Sequence, residues 1–116
     1  MKVERFENMF VWQKSKELCL TLYKLFSSNQ DYRFKDQIQS AAVSIMNNIA
    51  EGFERKGNKE FRKFLYISKG SCAEVKSMLY LAIELSYISK SDFDKTFNLS
   101  TEISKMLTSF IAKMII

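Results

Sequence analysis

Residues 37–55 read QIQSAAVSIMNNIAEGFER. The stretch is helical by pattern, yet Asn48, Glu51 and Gly52 stand in the middle of an otherwise apolar run. At about 100° per residue, Ile38, Ala42, Ile45, Ile49 and Phe53 fall on one face. Gln37, Ala41, Ser44, Asn48, Glu51 and Arg55 form a second stripe beside it, again at spacings of three and four. The polar residues therefore border the apolar face rather than interrupt it. A buried helix with a polar seam needs partners for that seam, because an unpaired buried polar group costs about 1 to 3 kcal/mol. Asn48 and Glu51 are accordingly expected to bond to a neighbouring helix or subunit and fix one register, with Gly52 allowing close approach.

Outward from this stretch, three further helices follow from the same periodicity. One runs from about Asn8 to Ser27, with Val11, Trp12, Leu18, Cys19, Leu22, Leu25 and Phe26 inward. The quoted helix begins near Tyr32, with Asp31 as its N-cap. Gly57 suits the left-handed position after it, and Asn58 can cap the next helix, from about Lys59 to Tyr87. There Phe61, Phe64, Leu65, Cys72, Val75, Leu79, Ala82 and Ile83 face inward. Ser68, Gly70, Ser71, Glu74 and Ser77 form a small and polar row that matches the seam. Ser91, with Asp94 three residues on, resembles a capping box for a last helix from Asp92 to about Lys113. Phe93, Phe97, Ile103, Met106, Leu107, Phe110 and Met114 are its inner face. The chain of 116 residues has no proline and three glycines, which favours long helices joined by short turns. The expectation is an all-α fold: a single domain over residues 1–116, an antiparallel up-down-up-down four-helix bundle.

Composition narrows the chemistry. There is no histidine, so histidine-based triads and Glu-x-x-His di-iron ligands are excluded. No P-loop or Gly-x-Gly-x-x-Gly occurs. A Glu51–Glu74 carboxylate pair is the one catalytic alternative to a structural seam, and the structural reading is preferred: no enzyme, no metal, no cofactor. Cys19 and Cys72 read as reduced, buried small hydrophobes, with a disulfide between them as the alternative. The charged N-terminus does not resemble a signal peptide, and no apolar run is long enough to span a membrane, so a soluble cytoplasmic protein is expected.

The net charge is +5, and it is unevenly placed. Residues 1–53 carry seven basic and six acidic groups, residues 54–76 seven and three, and residues 77–116 four and four. The excess lies at Arg55, Lys56, Lys59, Arg62, Lys63, Lys69 and Lys76, a patch suited to an anionic partner or else a solvated helix face. Phe6, Met9, Phe10, Tyr23, Tyr66, Tyr80 and Tyr87 do not fit one inward stripe per helix, which suggests a subunit interface.

The chain resembles the four-helix-bundle proteins encoded in intervening sequences of bacterial 23S ribosomal RNA genes. In residues 37–55 the resemblance is carried by Gln37, Ile38, Ala41, Ala42, Ser44, Ile45, Asn48, Ile49, Ala50, Glu51 and Gly52. In residues 59–79 it is carried by Phe61, Phe64, Leu65, Gly70, Ser71 and Glu74, and near the start by Trp12 and Lys14. Gln39 and Ser40 stand where the family has two arginines, which removes two charges from that face, and Met46 stands where it often has proline. The family also looks like the accessory proteins of diversity-generating retroelements. The resemblance implies an up-down bundle that can assemble into a five-membered ring. The accessory proteins are pentameric bundles that bind nucleic acid and a reverse transcriptase, which implies RNA or DNA and a protein as partners here, and no enzymatic activity is attached to the family. From residues and resemblance together, two functions are expected. The first is a homo-oligomeric nucleic-acid binder using Arg55, Lys56, Lys59, Arg62, Lys63 and Lys69, with Ser44, Asn48, Glu51, Gly52, Gly70, Ser71 and Glu74 as structural motif. The alternative is a scaffold for a protein partner.

Overall fold

The computed structural model describes residues 3–116. A 3-10 turn, Phe6–Asn8, precedes four helices: α1 (Phe10–Leu25), α2 (Tyr32–Glu54), α3 (Asn58–Glu84) and α4 (Lys90–Lys113). Each helix packs on the two beside it in the order α1–α2–α3–α4–α1, and the diagonal pairs do not meet. With connections this short, consecutive helices run antiparallel, as expected for an up-down-up-down bundle. The bundle measures 44 × 22 × 20 Å.

The core follows the predicted stripes of the first three helices. Leu18 and Leu22 of α1, Ile38, Ile45 and Ile49 of α2, and Leu65, Val75 and Leu79 of α3 are fully buried. Burying a side chain of this size stabilises the fold by about 1.5 to 3 kcal/mol. Cys19 and Cys72 are free and buried, and burial pushes the Cys72 thiol up to about 11.

On α4 the central line differs from the expected one. Thr96, Leu99, Ser100, Ile103 and Leu107 are buried, while Phe93, Phe97, Met106, Phe110 and Met114 flank the core half-buried. The buried hydroxyls are tolerated because each finds an acceptor. Thr96 Oγ1 donates to the Asp92 carbonyl at 2.7 Å, and Ser100 Oγ to the Thr96 carbonyl at 2.8 Å. Ser15 does the same within α1, at 2.7 Å from the Val11 carbonyl.

The helix ends confirm one cap and correct three details. Asp31 Oδ1 accepts from the Phe34 amide at 3.2 Å, as expected of an N-cap. Its other oxygen accepts from the Tyr87 hydroxyl at 2.7 Å, which closes the α1–α2 turn against the α3–α4 turn. These bonds hold the Asp31 carboxyl below its ordinary range, the Tyr87 hydroxyl contributing most. The cap of α4 is Ser89, not Ser91: Ser89 Oγ accepts from the Asp92 amide at 3.1 Å. The helix thus starts earlier than expected, and Asp94 pairs with Lys90 at 2.7 Å. Gly57 has a positive φ of 81°, but its ψ of 158° lies in the extended region open to glycine, and it directly precedes α3. Asn58 is the first residue of α3 and makes no cap; its Nδ2 donates to the Ile115 carbonyl at 2.9 Å.

Helix α3 ends at a left-handed residue other than glycine. Ser86 has φ 59°, and the amides of Ser86 and Tyr87 donate to the carbonyls of Ile83 and Ala82 at 3.1 and 2.8 Å. This is a Schellman closure with serine in the place that glycine prefers.

Candidate nucleic-acid interface

Helix α3 meets α2 along one flank and α4 along the other. The α2 flank holds most of the distinctive sequence motif. An ideal Cβ on Gly52 would lie 2.7 Å from Phe64 Cβ and 2.9 Å from Phe61 Cδ1. Only glycine lets the end of α2 sit this close to the start of α3. Farther along, Ser44 Oγ lies 2.8 Å from Ser71 Oγ, and Asn48 Nδ2 donates to the Ser44 carbonyl at 2.8 Å and to Ser44 Oγ at 3.0 Å. Ser68 Oγ donates to the Ile45 carbonyl at 2.8 Å. The seam is thus a ladder of small hydroxyls and one amide that joins two helices.

The seam differs from the expected one at Asn48, Glu51, Gly70 and Glu74. Asn48 bonds within its own helix and reaches α3 only through Ser44. Glu51 is exposed and pairs with Arg55, one turn on, at 2.9 Å. Such a surface pair contributes little. Gly70 is exposed, and a Cβ there would meet nothing within 4 Å. Glu74 is exposed and in no ion pair among the described residues. Among those residues no group of three or more His, Cys, Asp or Glu side chains could hold a metal ion.

The basic residues extend from the α2–α3 turn along α3: Arg55 and Lys56 lie in the turn, and Lys59 in the first turn of α3. Arg55 lies over the Phe64 ring at 5.0 Å, on the α2 flank. Lys59 and Lys63 are exposed near the start of α3. Arg62, Lys69 and Lys76 recur every seven residues, which puts them on one side of the helix. That side is the α4 side. The Lys76 ammonium sits 4.9 Å from the Phe97 ring centroid, and the Tyr80 ring meets Phe93 and Phe97 at 5.5 and 5.0 Å. None of Lys59, Arg62, Lys63, Lys69 and Lys76 is in an ion pair among the described residues.

The sequence pattern groups Tyr66 and Tyr80 with Phe6, Met9, Phe10, Tyr23 and Tyr87 as one apolar surplus. The structure separates them. Met9 is buried, Phe6 packs edge-on against Trp12 at 5.3 Å, and Tyr87 packs on Phe34 at 5.2 Å. Phe10, Tyr23, Tyr66 and Tyr80 are exposed. Missed altogether was an apolar groove of about 860 Å³ at the end of the bundle where α2, α3 and α4 meet. It is lined by Phe53, Phe61, Met106, Phe110 and Met114, with Asn58, Lys105 and Lys113. Its residues come from three helices and both chain ends, so no local sequence pattern marks it. Among the described residues no helix is long and apolar enough to cross a membrane.

Comparison with known proteins agrees with this architecture. A solved structure from Bacteroides thetaiotaomicron VPI-5482, a protein of unknown function from the S23 ribosomal protein family, superposes with a TM-score of 0.82 at 30% identity. The match covers 87% of this chain and 97% of that one. No curated protein matches. The family model of the 23S rRNA-intervening sequence protein matches residues 7–109, which takes in all of α1, α2 and α3 and most of α4. The chain belongs to the 23S rRNA-intervening sequence protein family.

Proposed function

We propose that this protein is a non-enzymatic, self-assembling nucleic-acid-binding bundle. The observation that carries the reading is the set of basic side chains on α3 that are in no ion pair among the described residues: Lys59, Arg62, Lys63, Lys69 and Lys76. Cations left free along a rigid helix attract a phosphate backbone without reading its sequence. Repetition of the helix around an oligomer multiplies the weak affinity of one subunit through effective concentration. The resemblance to ring-forming bundles supports that assembly, and exposed Phe10, Leu20 and Tyr23 offer apolar surface for it.

Light scattering after size exclusion, with and without a short RNA at two salt concentrations, tests both halves. The expected result is a discrete oligomer that gains mass with RNA at low salt only. An oligomer indifferent to RNA at both salts contradicts the binding half, and a monomer contradicts the assembly half. A second reading, a scaffold for a protein partner, is favoured by the apolar groove at the bundle end. In that case binding depends on the groove and survives moderate salt.

A further inference from the structure

Arg62, Tyr66, Lys69, Lys76 and Tyr80 follow one another on α3 at spacings of four, three, seven and four, so they form a single row along the helix. At about 1.5 Å per residue the row is about 27 Å long. Its neighbour α4 contributes Phe93 and Phe97 at one end. The position between Lys69 and Lys76 is Ala73, which leaves the row unobstructed by a large side chain.

The row alternates cations with aromatic rings, and the rings are open to solvent: Tyr66 is 54% and Tyr80 57% exposed. They differ in how they are held. Tyr80 is fixed edge-on against Phe97 at 5.0 Å, and Lys76 is drawn over the same Phe97 ring. Tyr66 has no aromatic neighbour among the described residues. A duplex offers phosphates to the cations but keeps its base faces stacked inside, where an exposed ring cannot reach them. A single strand offers both, and base-on-ring stacking tolerates any sequence.

We infer that the α4-facing row of α3 is a binding track for single-stranded nucleic acid, in which Arg62, Lys69 and Lys76 hold phosphates while Tyr66 and Tyr80 stack on unpaired bases. This rests on the nucleic-acid reading above and adds the form of the ligand. The preference over duplex comes from the tyrosines, whereas the cations serve both forms. Tyr80 is the preorganised platform, since its ring is already immobilised, and Tyr66 is the adaptable one.

The test is fluorescence anisotropy of labelled oligo(dT) and of a duplex of equal length, at one low salt concentration. The track requires oligo(dT) to bind more tightly than the duplex. Tyr66→Ala should weaken oligo(dT) binding at least about fivefold, the low end of one base–ring stack, and leave duplex binding unchanged. Tyr66→Phe, which keeps the ring, should restore oligo(dT) binding. Because the Tyr66 side chain is half exposed, the variant should melt like the native protein, as circular dichroism would check. Equal affinity for both forms with a silent Tyr66→Ala overturns the track and leaves the electrostatic reading standing. Binding to neither form overturns both.

Discussion

Toward α2, helix α3 presents Phe64 and Ser71 to Gly52 and Ser44, at distances that leave no room for another atom. Toward α4, the same helix presents Arg62, Lys69 and Lys76, none of them in an ion pair among the described residues, and the exposed ring of Tyr80. The first flank is small, hydroxyl-rich and satisfied internally. The second is long, charged and open. The difference teaches that the most recognisable part of the sequence is the part that builds the bundle, while the open row of cations lies on the other side of the same helix. Close packing constrains residue type strongly, because a single added methyl group collides. A solvated cation row constrains only charge and spacing, and so it reads weakly in a sequence.

The sharpest way to break the comparison is to reverse the open flank. Arg62→Glu, Lys69→Glu and Lys76→Glu together should reduce nucleic-acid affinity by at least about 100-fold at low salt, about 2.7 kcal/mol, with a shallower salt dependence. The melting temperature should change little, since these side chains are in no ion pair among the described residues. Next in size is the closed flank. Gly52→Ala drives a Cβ into Phe64 and Phe61 and should destabilise the protein by about 2 to 3 kcal/mol in a urea titration.

Gly70→Ala is the control for that substitution. It lies on α3, in open space, so it should stabilise by up to about 1 kcal/mol through helix propensity. If the protein assembles as proposed and Gly70→Ala prevents assembly while the bundle stays folded, Gly70 lies at the contact between copies. Ser86→Gly relieves the left-handed serine after α3 and should raise stability by about 1 kcal/mol, read as a few degrees in the melting temperature.

The smallest effect is one of pH. Asp31 is held below its ordinary range by the Tyr87 hydroxyl and the Phe34 amide. A carboxyl with a depressed folded value stabilises the fold at higher pH and loses that contribution as pH falls through the folded value. Below the ordinary aspartate range, the native protein should therefore lose stability more steeply than Asp31→Asn. Parallel acid melts check this.

Much of the fold was legible because three of the helices obey one rule. Ile38, Ala42, Ile45 and Ile49 recur as a buried face requires, and absent proline leaves nothing to break them. The rule failed on α4, where Thr96 and Ser100 read as polar although the core holds them through carbonyls of their own helix. It failed again at Ser89. Both Ser89 and Ser91 are followed three residues later by an aspartate, and local sequence cannot choose between two such registers. The candidate site was legible as charge but not as geometry. Arg55, Lys56, Lys59, Arg62, Lys63 and Lys69 are close in sequence, yet Arg55 stands over Phe64 on the α2 flank while Arg62 and Lys69 share the row of Lys76. Which flank a helical residue takes depends on where the neighbouring helices pack, and that is a tertiary fact.

The most direct test compares the oligo(dT) affinity of two variants by anisotropy at low salt: Ser44→Ala with Asn48→Ala on the closed flank, and the triple charge reversal on the open one. The account predicts that the first binds within about threefold of the native protein despite a lower melting temperature, and that the second is folded but does not bind. A seam variant that is folded and fails to bind, or a charge-reversed variant that binds normally, would contradict it.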